Sequence, residues 1–247
     1  MKVVAIVQAR FGSTRLPGKV LLELAGEPVL ARVINRLGRA RRLDEVVVAT
    51  TTEPADDPIA RLCERRNWPC GRGSEFDVLD RYYHVAKVHN ADAVVRVTSD
   101  CPLIEPIIVD RAVEMFLAGQ PELDYAANTL PPRTFPRGLD TEVVKMDALE
   151  RAWAESADKP SREHVTYYLY SKPGRFRLRG MTNDHNLSHM RWTLDTPEDL
   201  ELLRRIYDHF GDDLFAWTDV LKLLEARPEW LEINRHVQQK KPEDTQK

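Results

Sequence analysis

Three cations follow the first apolar run of the chain. Arg10, Arg15 and Lys19 lie in one short loop together with Gly12 and Gly18. Glycine lets backbone amides approach an anion closely, and successive amides in such a loop form an anion-binding concavity. Because cations and exposed amides would converge there, the loop predicts a binding site for a polyanion. A nucleoside triphosphate is the ligand that we expect.

The loop departs from the two commonest phosphate-binding motifs. A P-loop has the spacing Gly-x-x-x-x-Gly-Lys followed by Ser or Thr. Here one more residue separates Gly12 from Gly18, and Val20 follows the lysine. The dinucleotide motif should follow the first strand, but its nearest match, residues 71–76, comes late and ends in Phe76. The sequence therefore argues against a P-loop NTPase and against an NAD-binding protein.

Asp100 lies just beyond the apolar segment 93–97, within Thr98-Ser99-Asp100-Cys101-Pro102. A turn carboxylate that accepts local amide hydrogen bonds would explain it structurally. Magnesium, however, is held in proteins by one or two carboxylates together with substrate phosphates. In combination with the triphosphate loop, the pattern predicts that Asp100 is a magnesium ligand.

Asp195 lies between the segment 191–194, which we interpret as a late strand, and a well-marked helix start. Thr196 as N-cap, Pro197 at the first helical position and Asp199 at the third account for that start. They leave Asp195 without a local structural role. We therefore assign Asp195 as a second candidate metal ligand.

Buried parallel strands would bring these side chains to one edge. Residues 3–7, 45–50 and 93–97 are short, nearly continuous apolar runs, which is typical of strands covered on both faces. Ligands of open α/β sheets bind beyond the carboxyl ends of such strands. The sequence predicts an α/β fold, a three-layer sandwich with a mostly parallel, Rossmann-like central sheet. Thr50, which ends the second run, would border the nucleotide, although hydroxyls that end strands are more often turn residues.

Apolar residues at helical spacing predict the layers around the sheet. We expect helices over residues 28–37, 57–66, 77–89, 107–117, 147–157, 161–170 and from 197 onward, and a further strand over 123–128.

Composition restricts the class of protein. The chain has 247 residues, of which 43% are hydrophobic and 30% charged, with a formal net charge of -3. We therefore expect one soluble globular domain without nucleic-acid binding, a membrane span or a secretion signal. Cys63, Cys70 and Cys101 lack the spacing of a metal site or a disulfide framework, so the expected location is the cytoplasm.

The cation loop also resembles a known family signature. The segment 9–19, Ala-Arg-Phe-Gly-Ser-Thr-Arg-Leu-Pro-Gly-Lys, is similar to the loop of the nucleotidyltransferases that activate sugars, especially the CMP-sugar cytidylyltransferases. The resemblance covers most of the chain, through the segments 72–83, 98–103, 136–140, 162–166 and 191–200. In this combination it resembles the spore-coat polysaccharide biosynthesis branch, which is related to the enzymes that make CMP-ketodeoxyoctonate and CMP-sialic acid.

The resemblance implies the nucleotide-diphospho-sugar transferase fold and a magnesium-dependent reaction in which CTP and a sugar, expected to be acidic, give a CMP-sugar and pyrophosphate. The catalytic residues would be Arg10, Arg15, Lys19, Asp100 and Asp195, with Mg2+ on the two aspartates. Besides the three cations, the nucleotide-binding residues would be Ala9, Gly12, Ser13, Thr50, Arg72, Gly73, Ser74 and Ser99. The acceptor sugar would be bound by Asn128, Arg137, Asp140, Glu142 and His164. A solvated loop role for Arg137 and a structural or dimer-contact role for His164 stay open.

The expected organisation is a single nucleotidyltransferase domain over residues 1–236. An acceptor-side or dimerisation region is inserted at 128–190, and 237–247 form a polar, flexible tail. A homodimer is implied by the resemblance alone. Two other functions stay open, namely a non-catalytic nucleotide-binding subunit and a glycosyltransferase of related fold, whose usual Asp-x-Asp motif is replaced by Ser99-Asp100-Cys101. The sequence identifies neither the acceptor sugar nor a general base, and it does not prove cytosine over another base.

Overall fold

Residues 1–239 of the chain are described by the computed structural model, and they contain nine strands and nine α-helices. The strands are β1 (Val3–Gln8), β2 (Glu23–Leu24), β3 (Glu27–Pro28), β4 (Glu45–Thr51), β5 (Cys70–Gly73), β6 (Ala93–Thr98), β7 (Tyr125–Ala127), β8 (Glu142–Lys145) and β9 (Leu178–Gly180). The helices are α1 (Val29–Leu37), α2 (Asp57–Arg66), α3 (Val78–Val88), α4 (Pro106–Ala118), α5 (Met146–Glu155), α6 (Lys159–Glu163), α7 (Tyr167–Tyr170), α8 (Pro197–Phe210) and α9 (Trp217–Ala226). Short 3-10 helices cover Lys19–Leu21, Pro54–Asp56 and Pro228–Glu232.

Seven of these strands form one sheet, in the order β5-β4-β1-β6-β8-β7-β9. The neighbours β5, β4, β1 and β6 are parallel to one another. β8 runs antiparallel to both β6 and β7, and β9 is parallel to β7. The remaining pair, β2 and β3, is antiparallel and separate from the sheet. The prediction of a mostly parallel central sheet is therefore confirmed.

Alternate side chains of the central strand β1 fill two apolar cores. Val3, Ala5 and Val7 pack on one face of the sheet with α1, α4 and α8. Val4 and Ile6 pack on the other face with α3 and α5. All five side chains are at most 2% exposed. A strand buried on both faces needs a continuous apolar sequence. The two cores on opposite faces of the sheet give the three predicted layers.

Two of the expected elements differ in the structure, and three strands of the main sheet were not expected. The segment 191–194 is not a strand, and its sheet-like pairing is limited to an isolated bridge between Arg191 and Arg137. The helix expected over 161–170 is two short helices, α6 and α7, because Val165 between them has a positive φ of 43°. The sequence pattern does not predict β5, β8 and β9, because these strands have only three or four residues and no clear apolar periodicity.

The carboxyl ends of the four parallel neighbours β5, β4, β1 and β6 meet at one edge of the sheet, where such folds bind ligands. The region 128–190 contributes β8 and β9 to the same sheet. Of the predicted tail, residues 237–239 belong to the described part of the chain, and 240–247 lie outside it. Among the described helices, none is both long enough and apolar enough to cross a membrane.

Candidate active site

The loop after β1 is closed on itself and tied to β4. The Gly18 amide donates to the Phe11 carbonyl oxygen at 2.9 Å. Gly18 has a φ of 69°, and a Cβ there would lie 2.8 Å from the Phe11 ring, so the position requires glycine. The Phe11 amide donates to the buried carboxylate of Asp56 at 2.5 Å, and the Thr51 hydroxyl donates to the same carboxylate. These contacts hold the loop at the carboxyl edge of the sheet.

Lys19 begins the short 3-10 helix after the loop and is 9% exposed. Its ammonium donates to Asp100 Oδ2, to Asp195 Oδ1 and to the Leu194 carbonyl oxygen, each at 2.7 Å. Three acceptors match the three donors of an ammonium group. Burial lowers the pKa of Lys19, but the charges and hydrogen bonds of the two aspartates outweigh burial, and the pKa is raised. Lys19 is therefore a fixed cation between two carboxylates.

Asp195 is surrounded by three cations. Its Oδ1 accepts from Lys19, and its Oδ2 accepts from Arg15 Nη2 at 2.9 Å and from Arg191 Nη2 at 2.7 Å. Burial raises the pKa of this carboxyl group, but the Lys19 charge above all, with Arg191 and Arg15, lowers the pKa to about 2. The Asp195 side chain is therefore a carboxylate at neutral pH.

Arg191 is a site residue that the sequence analysis did not predict. Its Nε and Nη2 donate to the two carboxylate oxygens of Asp199 at 2.9 and 3.0 Å. Asp199 also accepts from the amides of Asp195 and Thr196, as the predicted helix cap requires. Asn234 Nδ2 donates to the same carboxylate at 2.8 Å. Asp199, which caps the helix, therefore also holds the Arg191 side chain in place. The sequence does not signal this role, because residues 191 and 234 meet Asp199 only in the folded chain.

Asp100 reaches the Lys19 ammonium from the end of β6. Its Oδ1 accepts from Thr98 Oγ1 at 2.5 Å. The Leu194 amide and the Thr193 hydroxyl donate to the Asp100 carbonyl oxygen at 2.8 and 3.1 Å. These bonds bring Asp195 beside Asp100, although the segment directly before Asp195, residues 191–194, is not a strand. The structure therefore unites the two predicted metal ligands, and their binding of metal stays a prediction.

The two aspartates fit a divalent cation that receives further oxygens from a ligand. Asp100 and Asp195 already share one cation, the ammonium of Lys19, and their side chains are 23% and 15% exposed. Carboxylate oxygen is the donor that magnesium prefers. Within residues 1–239 no group of three or more His, Cys, Asp or Glu side chains could hold a metal ion. Phosphate oxygens would have to complete the coordination of magnesium here.

The remaining cation of the loop is directed elsewhere. Arg10 is 46% exposed at its side chain and lies 3.6 Å from Glu75, whereas Arg15 and Lys19 both contact Asp195.

Other predicted nucleotide-binding residues lie along the same edge of the sheet. Gly12 and Ser13 are in the loop, Ala9 and Ser99 directly follow β1 and β6, Thr50 is the second-last residue of β4, and Gly73 ends β5.

Arg72 and Ser74 are engaged by protein groups in this structure. Arg72 Nε donates to the Thr51 carbonyl oxygen at 2.7 Å, and its Nη2 donates to Asp57 at 2.8 Å. Ser74 Oγ accepts from the Asp77 amide at 3.0 Å, next to the start of α3. These contacts place both side chains beside the ends of β4 and β5. Their recognition of the base and ribose stays a prediction.

Two of the predicted acceptor residues stabilise the loop and sheet around them. Asn128 is 1% exposed; its Nδ2 donates to the Leu139 carbonyl oxygen at 2.6 Å, and its Oδ1 accepts from the Thr141 amide at 2.8 Å. Glu142 is 6% exposed. It accepts hydrogen bonds from three side chains, those of Arg96, Tyr125 and Thr166. Burial raises the pKa of Glu142, but Arg96 and these hydrogen bonds outweigh it, so the pKa is lowered.

The other three predicted acceptor residues lie in loops or at a helix end. Asp140 pairs with Arg133, and His164 directly follows the last residue of α6. Arg137 is half-buried, and its backbone exchanges hydrogen bonds with the segment 190–192. Arg137 therefore lies beside the chain segment that carries Arg191, while its role in sugar binding stays a prediction.

Comparison with known proteins gives consistent matches over almost the whole chain. A family model described as cytidylyltransferase matches residues 4–225. The spore coat polysaccharide biosynthesis protein SpsF of Bacillus subtilis (strain 168) is 29% identical over 236 residues, which is 92% of this chain and 95% of that protein. The 3-deoxy-manno-octulosonate cytidylyltransferase of Solibacter usitatus (strain Ellin6076) is 30% identical over 243 residues, with 83% of this chain and 94% of that protein covered.

A solved structure has the same fold. The structure of a cytidylyltransferase from Leptospira borgpetersenii serovar Hardjo-bovis (strain JB197) superposes with a TM-score of 0.90 at 33% identity. The superposition covers 98% of this chain and 99% of that chain. The residues matched by the family model include the whole cluster around Lys19, from Arg15 to Asp199.

Proposed function

The chain belongs to the cytidylyltransferase family and is a nucleotidyltransferase, and we propose that it transfers the cytidylyl group of CTP to a sugar with magnesium as its metal ion. The products would be a CMP-sugar and pyrophosphate. Support comes from one observation above all: at the carboxyl edge of the sheet, Asp100 and Asp195 share the Lys19 ammonium, with Arg15 on the same carboxylate. This combination of two carboxylates and two cations suits a metal-bound triphosphate.

The chain's own residues would position the triphosphate and balance its charge. In the reaction, a sugar hydroxyl oxygen forms a bond to the α-phosphorus, and the bond between that phosphorus and the bridging oxygen to the β-phosphate breaks. Pyrophosphate leaves with the electron pair, and the hydroxyl proton passes to solvent. Lys19 and Arg15 would neutralise charge that develops on the phosphate oxygens, which is the main contribution that a protein makes to such a transfer.

Asp100 and Asp195 would hold the magnesium ion, which when bound supplies positive charge against the phosphate oxygens. Arg191 would keep Asp195 in place, because Asp199 fixes the guanidinium of Arg191 through two hydrogen bonds. Thr98 would do the same for Asp100 through a bond of 2.5 Å. We assign no protein general base.

The acceptor belongs to the proposal as an acidic sugar for a surface polysaccharide or glycan. The names of two relatives support a sugar of this class. SpsF is described as a spore coat polysaccharide biosynthesis protein, and the Solibacter relative is a cytidylyltransferase of 3-deoxy-manno-octulosonate, an acidic sugar. The proposed acceptor side is the region 128–190, and the whole nucleotidyltransferase domain would extend over residues 1–236.

Location and assembly complete the proposal. We place the protein in the cytoplasm, in agreement with the free thiols of Cys63, Cys70 and Cys101. We also propose a homodimer, for which the family resemblance is the support. Light scattering on the purified protein tests it, and a monomeric mass at micromolar concentration would remove this part of the proposal without affecting the reaction.

A pyrophosphate-release assay tests the reaction. The four common nucleoside triphosphates would be combined in turn with acidic and neutral sugars, in the presence of magnesium. We expect release only with CTP and an acidic sugar, together with a CMP-sugar identified by mass spectrometry. The Asp100→Asn variant is the matched negative control. Release that favours another triphosphate, or that occurs without any sugar, would contradict the proposal.

A further inference from the structure

A short turn joins β5 to α3 and contains Ser74, one of the predicted nucleotide-binding residues. We call residues 74–77 the β5–α3 turn. The Ser74 hydroxyl oxygen accepts a hydrogen bond from the Asp77 amide at 3.0 Å. A hydroxyl group that accepts such a bond keeps its own hydrogen for another acceptor. The bond therefore fixes the position of Ser74 Oγ and leaves its O–H group able to donate.

Asp77 ends this turn and caps α3. Its Oδ1 accepts from the Asp80 amide at 2.9 Å, as an N-cap side chain does. A cap needs one side-chain oxygen, and Asn or Ser supplies it about as well as Asp. The cap therefore explains an oxygen acceptor at residue 77. It explains neither the second carboxylate oxygen nor the negative charge.

The Asp77 carboxylate is bound by Arg162 of α6, which lies 85 residues further along the chain. Arg162 Nε is 2.9 Å from both carboxylate oxygens, and its Nη2 donates to Oδ2. Its Nη1 donates to the Trp153 carbonyl oxygen at 2.7 Å. The side chains of Arg162 and Asp77 are 20% and 32% exposed. A guanidinium that uses several donors in this way fixes the geometry of its partner as well as its charge.

Further contacts hold the turn and the start of α3. Trp153 Nε1 donates to Asp80 at 2.8 Å, so α5 also contacts the first turn of α3. Arg81, which is 2% exposed, donates to the Ser74 carbonyl oxygen. Ser74 is thus held at its carbonyl group by α3 and at its hydroxyl group by Asp77. Asp77 in turn is held from the region 128–190.

We propose that Arg162 is a positioning residue of the nucleotide site, which acts through Asp77 on Ser74 and thereby sets the affinity for the base and ribose of CTP. The inference rests on the proposed function. Arg162 belongs to the region proposed for the acceptor sugar, but its guanidinium binds the residue that caps α3. Its loss should therefore weaken binding of the nucleoside part and spare the triphosphate, which would bind at the loop after β1.

Inorganic triphosphate separates the two parts of the ligand, because it lacks the base and the ribose. Calorimetric titration of the full-length protein with magnesium, and without any sugar, gives the Kd for CTP and the Kd for triphosphate. We expect Arg162→Gln to weaken CTP binding by about tenfold, because the charge-assisted bonds that position Asp77 are lost. The affinity for triphosphate should change by less than about threefold, because the loop after β1 shares no partner with Arg162.

Variants of Asp77 test whether Arg162 acts through this residue. Asp77→Asn keeps an oxygen for the helix cap and removes the anion that Arg162 binds, so it should weaken CTP binding to a similar extent. The double variant should lose little affinity beyond the worse single variant, because the two residues act as a pair. Independent losses that add in the double variant would contradict this route.

Two further arginine variants make the result specific. Arg162→Lys keeps the charge but not the forked geometry, so it should recover part of the affinity for CTP. Arg151→Gln is the matched control, because Arg151 is an exposed residue of α5 that pairs with Glu155 in the same helix. It should change the affinity for CTP by less than about twofold.

Two results would overturn the inference alone. The first is an unaltered affinity for CTP in Arg162→Gln. The second is an equal loss of affinity for CTP and for triphosphate, which would show that Arg162 supports the fold in general. If Arg162→Gln does not fold, Asp77→Asn is judged by the same two results. A wild-type protein that binds triphosphate as tightly as CTP would instead contradict CTP as the substrate, and the inference with it.

Discussion

The ammonium of Lys19 lies 2.7 Å from Asp195 Oδ1, and the same ammonium lies 2.7 Å from Asp100 Oδ2. One cation therefore joins the loop after β1, the turn after β6 and the segment before α8. Without it, two carboxylates at the same edge would repel each other, and like charges at close range raise the cost of keeping both ionised. The candidate active site is thus held in its geometry by the residues that would serve the reaction.

Asp195 should make the stability of the protein depend on pH in acid. Its pKa is lowered from 3.8 to about 2 in the folded state. Between these values the unfolded chain binds more protons, so the free energy of unfolding falls as the pH falls from about 4 to about 2. The contribution of Asp195 is present above pH 4 and amounts to about 2 kcal/mol.

Urea unfolding between pH 2 and 6 measures this contribution. The difference in unfolding free energy between the wild type and Asp195→Asn should be largest above pH 4 and should shrink toward pH 2. A difference that stays constant over the whole range would show that the cations around Asp195 do not hold its pKa down.

Arg15→Ala should weaken CTP binding by about tenfold to a hundredfold, because the side chain offers charge-assisted hydrogen bonds to phosphate. The fold should be nearly unaffected. Asp195 keeps Lys19 and Arg191 as partners, and a partly exposed ion pair contributes about 1 kcal/mol or less. Calorimetric titration with CTP and urea unfolding measure the two quantities.

Arg205→Ala on α8 is the matched control, because Arg205 is exposed and pairs with Glu201 within the same helix. It should leave CTP binding unchanged. If Arg15→Ala fails to fold while Arg205→Ala folds, Arg15 is a structural residue of the loop and its assignment to the triphosphate is wrong.

CTP should raise the melting temperature more with magnesium than with a chelator. Metal and triphosphate would bind as one unit to Asp100 and Asp195, and ligands that bind the native state alone stabilise it. Differential scanning fluorimetry at saturating CTP measures the shift. In Asp100→Asn the advantage of magnesium should shrink. Equal shifts with magnesium and with chelator in the wild type would count against a metal site at these aspartates.

The carboxyl edge of the sheet could be predicted because its strands are read from local sequence. The runs 3–7, 45–50 and 93–97 are apolar on both faces, so they predict buried parallel strands, and such strands end at a common edge. The position of Asp100 follows from that rule alone. Asp195 reaches the site in another way, through hydrogen bonds from Thr193 and Leu194 to the Asp100 carbonyl oxygen.

The hydrogen bonds that position Arg191 beside Asp195 could not be predicted from the sequence. Asp199 is fully accounted for by its place in the helix cap, so nothing in the sequence signals its bond to Arg191. Arg191 would occupy an ordinary position in the expected late strand, and Asn234 is far away in the chain. Such contacts depend on tertiary placement, which periodicity and capping signals do not contain. Glu142 is similar, because its partners lie on β6, β7 and the turn before α7.

Asp100→Asn and Asp195→Asn should each lower turnover by about two to four orders of magnitude, because each removes a charge from a hard oxygen site for magnesium. Asp195→Asn should also lower stability by about 1 to 3 kcal/mol, since Lys19, Arg15 and Arg191 lose their shared anion. Activity is therefore measured well below the melting temperature of each variant. Asp208→Asn, on the exposed face of α8, is the matched control and should retain wild-type turnover.

The double variant distinguishes a shared ion from two separate roles. Because Asp100 and Asp195 would act through one magnesium ion, the first substitution already removes most of what the second could remove. The double variant should therefore lose little turnover beyond the worse single variant, as expected for groups that work as a unit. Pyrophosphate release over a range of magnesium concentrations measures all three. If the loss in the double variant equals the product of the two single losses, or if Asp195→Asn has normal activity at every magnesium concentration, Asp195 is not a metal ligand, and its role is to balance the charges of Lys19, Arg15 and Arg191.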